Sequence, residues 1–158
     1  MITYQKEELD YIWDDLIINA KLHWEETEGY RHNQPFNPDK ERFLHYAKLG
    51  FYHAYSARDD GELIANVTMY VSPSMHTQVL IATEDTMFVK PEYRGKRVYY
   101  KLFRFVEEEM QKMGAKEILL TSKVSNPAGG LLERMGYTLV ANEYSKSFKS
   151  ADSTITLN

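Results

Sequence analysis

The stretch Met87-Phe88-Val89-Lys90-Pro91-Glu92-Tyr93-Arg94-Gly95-Lys96-Arg97-Val98-Tyr99-Tyr100 decides how this chain folds. It begins in a β-compatible run that opens at Gln78 and is stopped by Pro91, which cannot donate to a strand ladder. A turn containing Gly95 and several cations follows. The chain then enters a helix whose apolar residues Val98, Leu102, Phe105, Val106, Met110 and Met113 keep helical spacing up to a capping Gly114. Unpaired N–H groups and the positive end of a helix therefore converge on one spot, which suits phosphate. Directly after the helix, residues 117–121 (Glu-Ile-Leu-Leu-Thr) complete a βαβ unit, which makes its two strands parallel neighbours.

Upstream, Leu9, Ile12, Trp13, Leu16, Ile17, Ala20 and Trp24 recur at i, i+3, i+4 spacing and predict an amphipathic helix. Asn37-Pro38-Asp39 offers an N-cap, a proline at the first helical position and an acid in the first turn of a shorter helix running to Gly50. Residues 51–58 and 62–71 are rich in aromatic and β-branched side chains, and Asp59-Asp60-Gly61 between them is a hairpin turn. Downstream, Asn126-Pro127 repeats the cap and proline before a short helix bearing Leu131, Leu132 and Met135 and closed by Gly136. Runs at 137–141 and 144–149 predict two final strands. The order ααβββαβαββ is that of an α+β protein.

Its 158 residues, 43% hydrophobic and 27% charged, fit one domain with a real core, 1–158, without a repeat or linker. No apolar run reaches a membrane span, and the polar start Met1-Ile2-Thr3-Tyr4-Gln5-Lys6-Glu7-Glu8 is unlike a signal peptide, so a cytoplasmic protein is expected. The absence of cysteine excludes disulfides, thiolate metal sites and a cysteine acyl intermediate. The net charge of −4 argues against nucleic acid as a partner. It hides a window, Lys90 to Arg104, with six cations (Lys90, Arg94, Lys96, Arg97, Lys101, Arg104) against Glu92; this window carries +5 and the remainder of the chain −9. Such a patch suits a small, multiply charged anion, and it is equally the solvated start of a helix. Neither Gly-x-x-x-x-Gly-Lys-Ser/Thr nor Gly-x-Gly-x-x-Gly occurs, which weakens the nucleotide-hydrolase and dinucleotide readings.

Val89-Lys90-Pro91-Glu92-Tyr93-Arg94-Gly95-Lys96 resembles the pyrophosphate loop of the GCN5-related N-acetyltransferases (GNAT family), Arg/Gln-x-x-Gly-x-Gly/Ala after a strand ending Val-x-Pro. The element order and Leu131-Leu132-Glu133-Arg134-Met135-Gly136-Tyr137 extend the likeness over nearly the whole chain. Two loop glycines are replaced, by Arg97 and Tyr99; arginine at 97 resembles some phage-borne members. The likeness implies a GNAT-like α/β/α fold, a mixed sheet with helices on both faces and a first strand weak or absent. It also implies acetyl-coenzyme A as cosubstrate and no metal. Met87, Phe88 and Val89 would pair with the pantetheine arm, and Arg94, Gly95, Lys96, Arg97, Val98, Tyr99 and Tyr100 would hold the pyrophosphate. Asn126 matches a position contacting the coenzyme arm, and it is equally a plain N-cap before Pro127.

Catalysis in this family resembles direct attack of an amine on the thioester in a ternary complex, with a carboxylate as base. Alternation puts Asp85 on the face of Met87 and Val89 and Glu84 on the other; a bulge would exchange them. Asp85 also matches the carboxylate four residues before the strand's valine in polyamine-type members, so it is the first candidate and Glu84 the second. The family's tyrosine acid is replaced by Leu132, leaving Tyr99, Tyr100 and Tyr144 as substitutes. Each of them is otherwise a packing residue.

The expected acceptor is a small-molecule or protein amine, and a homodimer is one arrangement the sequence leaves open. Trp24-Glu25-Glu26-Thr27-Glu28-Gly29-Tyr30-Arg31-His32-Asn33 is the expected acceptor loop, where acids and aromatics would favour a cation or simply form a solvated loop. The histidines His23, His32, His45, His53 and His76 show no metal spacing. A rival reading is a non-catalytic coenzyme A sensor or interaction module with a degenerate loop, and a weaker one is a phosphate-binding adaptor.

Overall fold

Alternating sequence becomes strand in β1 (Ile2–Glu7), β2 (Tyr52–Asp59), β3 (Glu62–Pro73), β4 (Leu80–Val89) and β5 (Glu117–Leu119). The computed structural model describes residues 1–29 and 34–148, which fall in two compact units, Met1–Asn126 and Pro127–Asn158. The first unit holds one sheet in the order β1-β2-β3-β4-β5. Its first four strands are antiparallel neighbours, and β5 lies parallel to β4 as the βαβ spacing predicts. At the β2–β3 hairpin Asp60 (φ 48°) and Gly61 (φ 89°) are both left-handed, the conformation a two-residue turn between twisted strands requires.

Helix α1 (Leu9–Thr27) buries Leu9, Ile12, Trp13 and Leu16 against Tyr52 and Ala54 of β2, with Phe43 of α2 (Lys40–Lys48) closing the cluster. On the opposite sheet face lies α3 (Val98–Met113), whose buried Val98, Leu102, Phe103, Val106 and Met110 carry its apolar stripe. Tyr55 of β2 meets Phe105 of this helix at 6.2 Å, and Gly114 (φ 95°) ends it. Fully burying each such side chain contributes roughly 1.5–3 kcal/mol. The face under α1 is unusually polar. Ser56, Asn66 and Thr68 are all at most 1% exposed there, where Asn19 Nδ2 donates to Asn66 Oδ1 at 3.0 Å. Glu7 Oε1 accepts from Ser56 Oγ (2.5 Å) and Arg58 Nε (2.7 Å).

Several expectations change. The first strand, expected weak or absent, is a six-residue strand paired along β2 from Ile2↔Asp59 to Glu7↔Ala54. The cap of α2 is Asp39, accepting from Arg42 N at 3.2 Å, and not Asn37; α2 begins only after Pro38. In the second unit α4 (Gly129–Arg134) follows Ala128, so Asn126 does not cap it. The two final strands do not form across residues 137–148; Lys149 lies outside the described residues. Leu139, Val140, Tyr144 and Phe148 are all at least 75% exposed, and β propensity without a surface to pack on does not hold a strand.

Candidate active site

Pairing of β4 with β5 runs only from Ile81↔Glu117 to Thr83↔Leu119. There β5 ends, and among the described residues no strand covers the rest of that edge of β4. β3 covers the other edge as far as Ala65↔Val89. Backbone groups of Met87 and the N–H of Val89 on the open edge are thus available to a ligand, whereas Phe88 turns its own toward β3 and the Val89 carbonyl accepts from Arg94. Phe88 and Val89 are buried, and Met87 is half-buried.

The fork opens at a bulge. Thr68 faces Thr86 but Met69 faces Glu84, so Asp85 is an extra residue on β4. The faces are therefore exchanged relative to simple alternation. Asp85 does not share the face of Val89; its Oδ2 accepts from Tyr52 Oη at 2.8 Å, on the side of α1 and α2. Glu84 takes the α3 side, near Tyr99, and its Oε2 lies 3.5 Å from Thr121 N across the fork. Burial drives the Glu84 carboxyl up to about 7, with the Asp85 charge adding to it. Burial also raises Asp85, against the pull of its hydrogen bonds to Tyr52 and Thr68 and of the Lys123 charge. Tyr52 is 4% exposed, and burial next to Asp85 keeps its hydroxyl protonated.

After Val89 a 3₁₀ turn (Pro91–Tyr93) leads to Arg94, whose Nε donates to Val89 O at 2.9 Å and whose guanidinium lies 5.5 Å over the Phe88 ring. Gly95 (φ 80°) and Arg97 (φ 62°) then turn the backbone left-handed into α3. No side chain of the described residues caps this helix start, so its first N–H groups remain for an anion. Among the described residues Lys96, Arg97 and Lys101 make no ion pair, whereas Lys90 pairs with Glu62 and Arg104 with Glu107. Val98 is buried, Tyr99 stacks on Phe103 at 6.0 Å, and Tyr100 is exposed beside Arg104.

The end of α1 reaches this loop. Glu26 pairs with Arg94 at 2.9 Å and Glu28 with Lys123, beyond β5, at 2.5 Å. His23 sits between these charges, edge-on to Phe88 at 6.4 Å, and burial favours its neutral form. Two glutamates of the expected acceptor loop are thus held by the protein's own cations; Tyr30, Arg31, His32 and Asn33 lie outside the described residues.

The sequence matches the acetyltransferase (GNAT) family over residues 18–137. The chain belongs to this family. No curated protein sequence matches it. Among solved structures it is similar to a transcriptional regulator from Bacillus halodurans C-125 (TM-score 0.75, 17% identity, 94% of this chain and 100% of that one). A ribosomal-protein-alanine N-acetyltransferase from Brucella melitensis biovar Abortus 2308 aligns with TM-score 0.72 and 17% identity over 94% of this chain and 99% of that one. A glucosamine-6-phosphate N-acetyltransferase from Arabidopsis thaliana gives 0.71 and 16% over the same shares. At these identities the likeness is one of fold: a mixed sheet with helices on both faces.

Against the GNAT loop pattern, Arg97 stands where a glycine is expected yet adopts a glycine-like φ, so the backbone path is kept without the residue. Tyr99 is helical, and there no glycine is needed. Leu132, at the tyrosine position, is buried, and Tyr144 is 91% exposed. Asn126 is exposed, its N–H donating to Lys123 O at 3.1 Å in a tight turn. Sequence reasoning missed Tyr52 and Lys123. Tyr52 lies 33 residues from Asp85, and only the three-dimensional fold joins them.

Proposed function

We propose that this GNAT-family chain is an N-acetyltransferase that moves the acetyl group of acetyl-coenzyme A to a primary amine in a ternary complex, as one catalytic module, 1–158, in the cytoplasm. Proteins of the family use acetyl-coenzyme A as cosubstrate. The residues fit such a coenzyme: among the described residues, a helix start without a side-chain cap, three cations at 96, 97 and 101 that make no ion pair, and an open strand edge leading to the fork. When bound, the coenzyme supplies an acetyl thioester.

The observation that carries the catalytic reading is Glu84, a carboxylate at the fork whose pKa of about 7 lets it take a proton from an ammonium near neutral pH. It replaces Asp85, the first candidate, because the bulge turns Asp85 to the other face. Tyr99, half-buried near Glu84 and held protonated up to about 12, is the donor we assign to the departing thiolate. Arg94, Lys96, Arg97 and the amides of Gly95, Val98, Tyr99 and Tyr100 hold the phosphates.

The test is mass spectrometry of the purified protein for bound coenzyme, then an amine panel followed by release of free thiol. Glu84→Gln should retain coenzyme and lose turnover by about 10²-fold or more. Coenzyme binding with no transfer to any amine would instead establish the sensor reading.

A further inference from the structure

Asp85 is a partly buried carboxylate without an ion-pair partner among the described residues. Its Oδ2 accepts from Tyr52 at 2.8 Å, and the ring of Tyr52 meets Tyr70 edge-on at 5.0 Å and Phe43 at 5.1 Å. Tyr70 is 40% exposed, and Tyr46 on α2, close enough to act on the Tyr70 hydroxyl, is 41% exposed. An aromatic wall therefore runs from solvent down to a carboxylate that makes no ion pair among the described residues, although the Lys123 charge acts on it. Carboxylates removed from water favour a cationic partner, and aromatic faces add to that preference.

We propose that this wall is the acceptor subsite, with Asp85 anchoring the ammonium group and Tyr46 and Tyr70 covering an apolar, ring-sized body. Tyr52 is a positioning residue, fixing the Asp85 carboxylate with a hydroxyl that does not ionise. Asp85 and Glu84 are consecutive residues on opposite faces of β4, which has an open edge beyond Thr83, and the proposal has the amine held at Asp85 pass that edge to the fork. The inference rests on the N-acetyltransferase reading and names its substrate class: a primary amine on an apolar body. A phosphorylated or purely polyhydroxylated amine suits this wall less, since the first is repelled by Asp85 and the second leaves the rings uncovered.

Calorimetric binding of phenethylamine, 2-phenylethanol and glucosamine to the full chain saturated with coenzyme A tests it. Phenethylamine should bind about tenfold tighter than either comparator, and rising salt should weaken it. Asp85→Asn should bring phenethylamine to the level of 2-phenylethanol, and Tyr70→Leu should weaken it by about two- to fivefold. Unchanged coenzyme A affinity in both variants shows that they fold. Equal binding of phenethylamine and either comparator, or a preference that survives Asp85→Asn, overturns the proposal. Selective amine binding without acetyl transfer supports the ammonium site at Asp85 but overturns the catalytic reading and, with it, the role of the wall as an acceptor subsite.

Discussion

Nη2 of Arg94 lies 2.9 Å from both carboxylate oxygens of Glu26, joining the loop before α3 to the end of the first helix. The partners are 45% and 37% exposed, and such a pair is worth only about 0–1 kcal/mol. A phosphate bound by Arg94 through charge-assisted bonds, as proposed, would displace it readily.

Glu26→Gln should therefore tighten coenzyme A binding by about threefold, since Arg94 then has no competing carboxylate. Arg94→Ala together with Arg97→Ala should remove most of the thermal stabilisation that coenzyme A gives. Titration calorimetry and melting curves read both effects. Weaker binding by Glu26→Gln would mean that Glu26 orients Arg94 and does not compete for it.

Arg97 holds a left-handed backbone. Arg97→Gly should leave stability within about 0.5 kcal/mol, whereas Arg97→Val, β-branched in the same conformation, should cost about 1–2 kcal/mol. Urea unfolding midpoints measure the pair, and coenzyme affinity should fall in both.

With its carboxyl near 7, Glu84 should make kcat/KM fall as pH drops through that value, and Glu84→Gln should remove this limb. The stability consequence has the opposite sense. A carboxyl that binds its proton more tightly folded than unfolded lowers stability as pH rises from its ordinary value of 4.5 to about 7. Glu84→Gln should thus be more stable than the parent at pH 8, with the gain shrinking toward pH 4. A gain that persists at pH 4 would refute the assignment.

The Glu7–Arg58 pair is nearly enclosed, with side chains 4% and 13% exposed. Arg58→Met strands a buried carboxylate and should cost about 3–5 kcal/mol, and Glu7→Leu in the same chain should recover most of that. Denaturant unfolding of the single and double variants checks it.

The strand–turn–helix at 87–100 was legible because proline, glycine and apolar spacing all agree there. So was the hairpin at Asp60-Gly61, whose turn tolerates few other residues. The first strand was not: Ile2 and Tyr4 are only half-buried at the sheet edge, so its alternation is too weak to read. The final runs mislead the other way, since Leu139, Val140, Tyr144 and Phe148 have strand character but bury little. At the candidate site the carboxylates were found but assigned to the wrong faces. One extra residue in β4 exchanges them, and nothing in Thr86-Met87-Phe88-Val89 announces it.

The first helix is held differently along its length. Its N-terminal half buries Leu9, Ile12, Trp13 and Leu16, while beyond Leu16 only Asn19 and Thr27 are buried, with ion pairs at 26 and 28. Apolar burial resists separation from the sheet, whereas the Glu26–Arg94 pair is exposed at both ends and gives way to water and salt. The helix is thus a graded structure that peels from its C-terminal end. Amide hydrogen exchange should be slow through Leu16 and quicken toward Thr27, and the part that opens first is the part that touches the loop at Arg94.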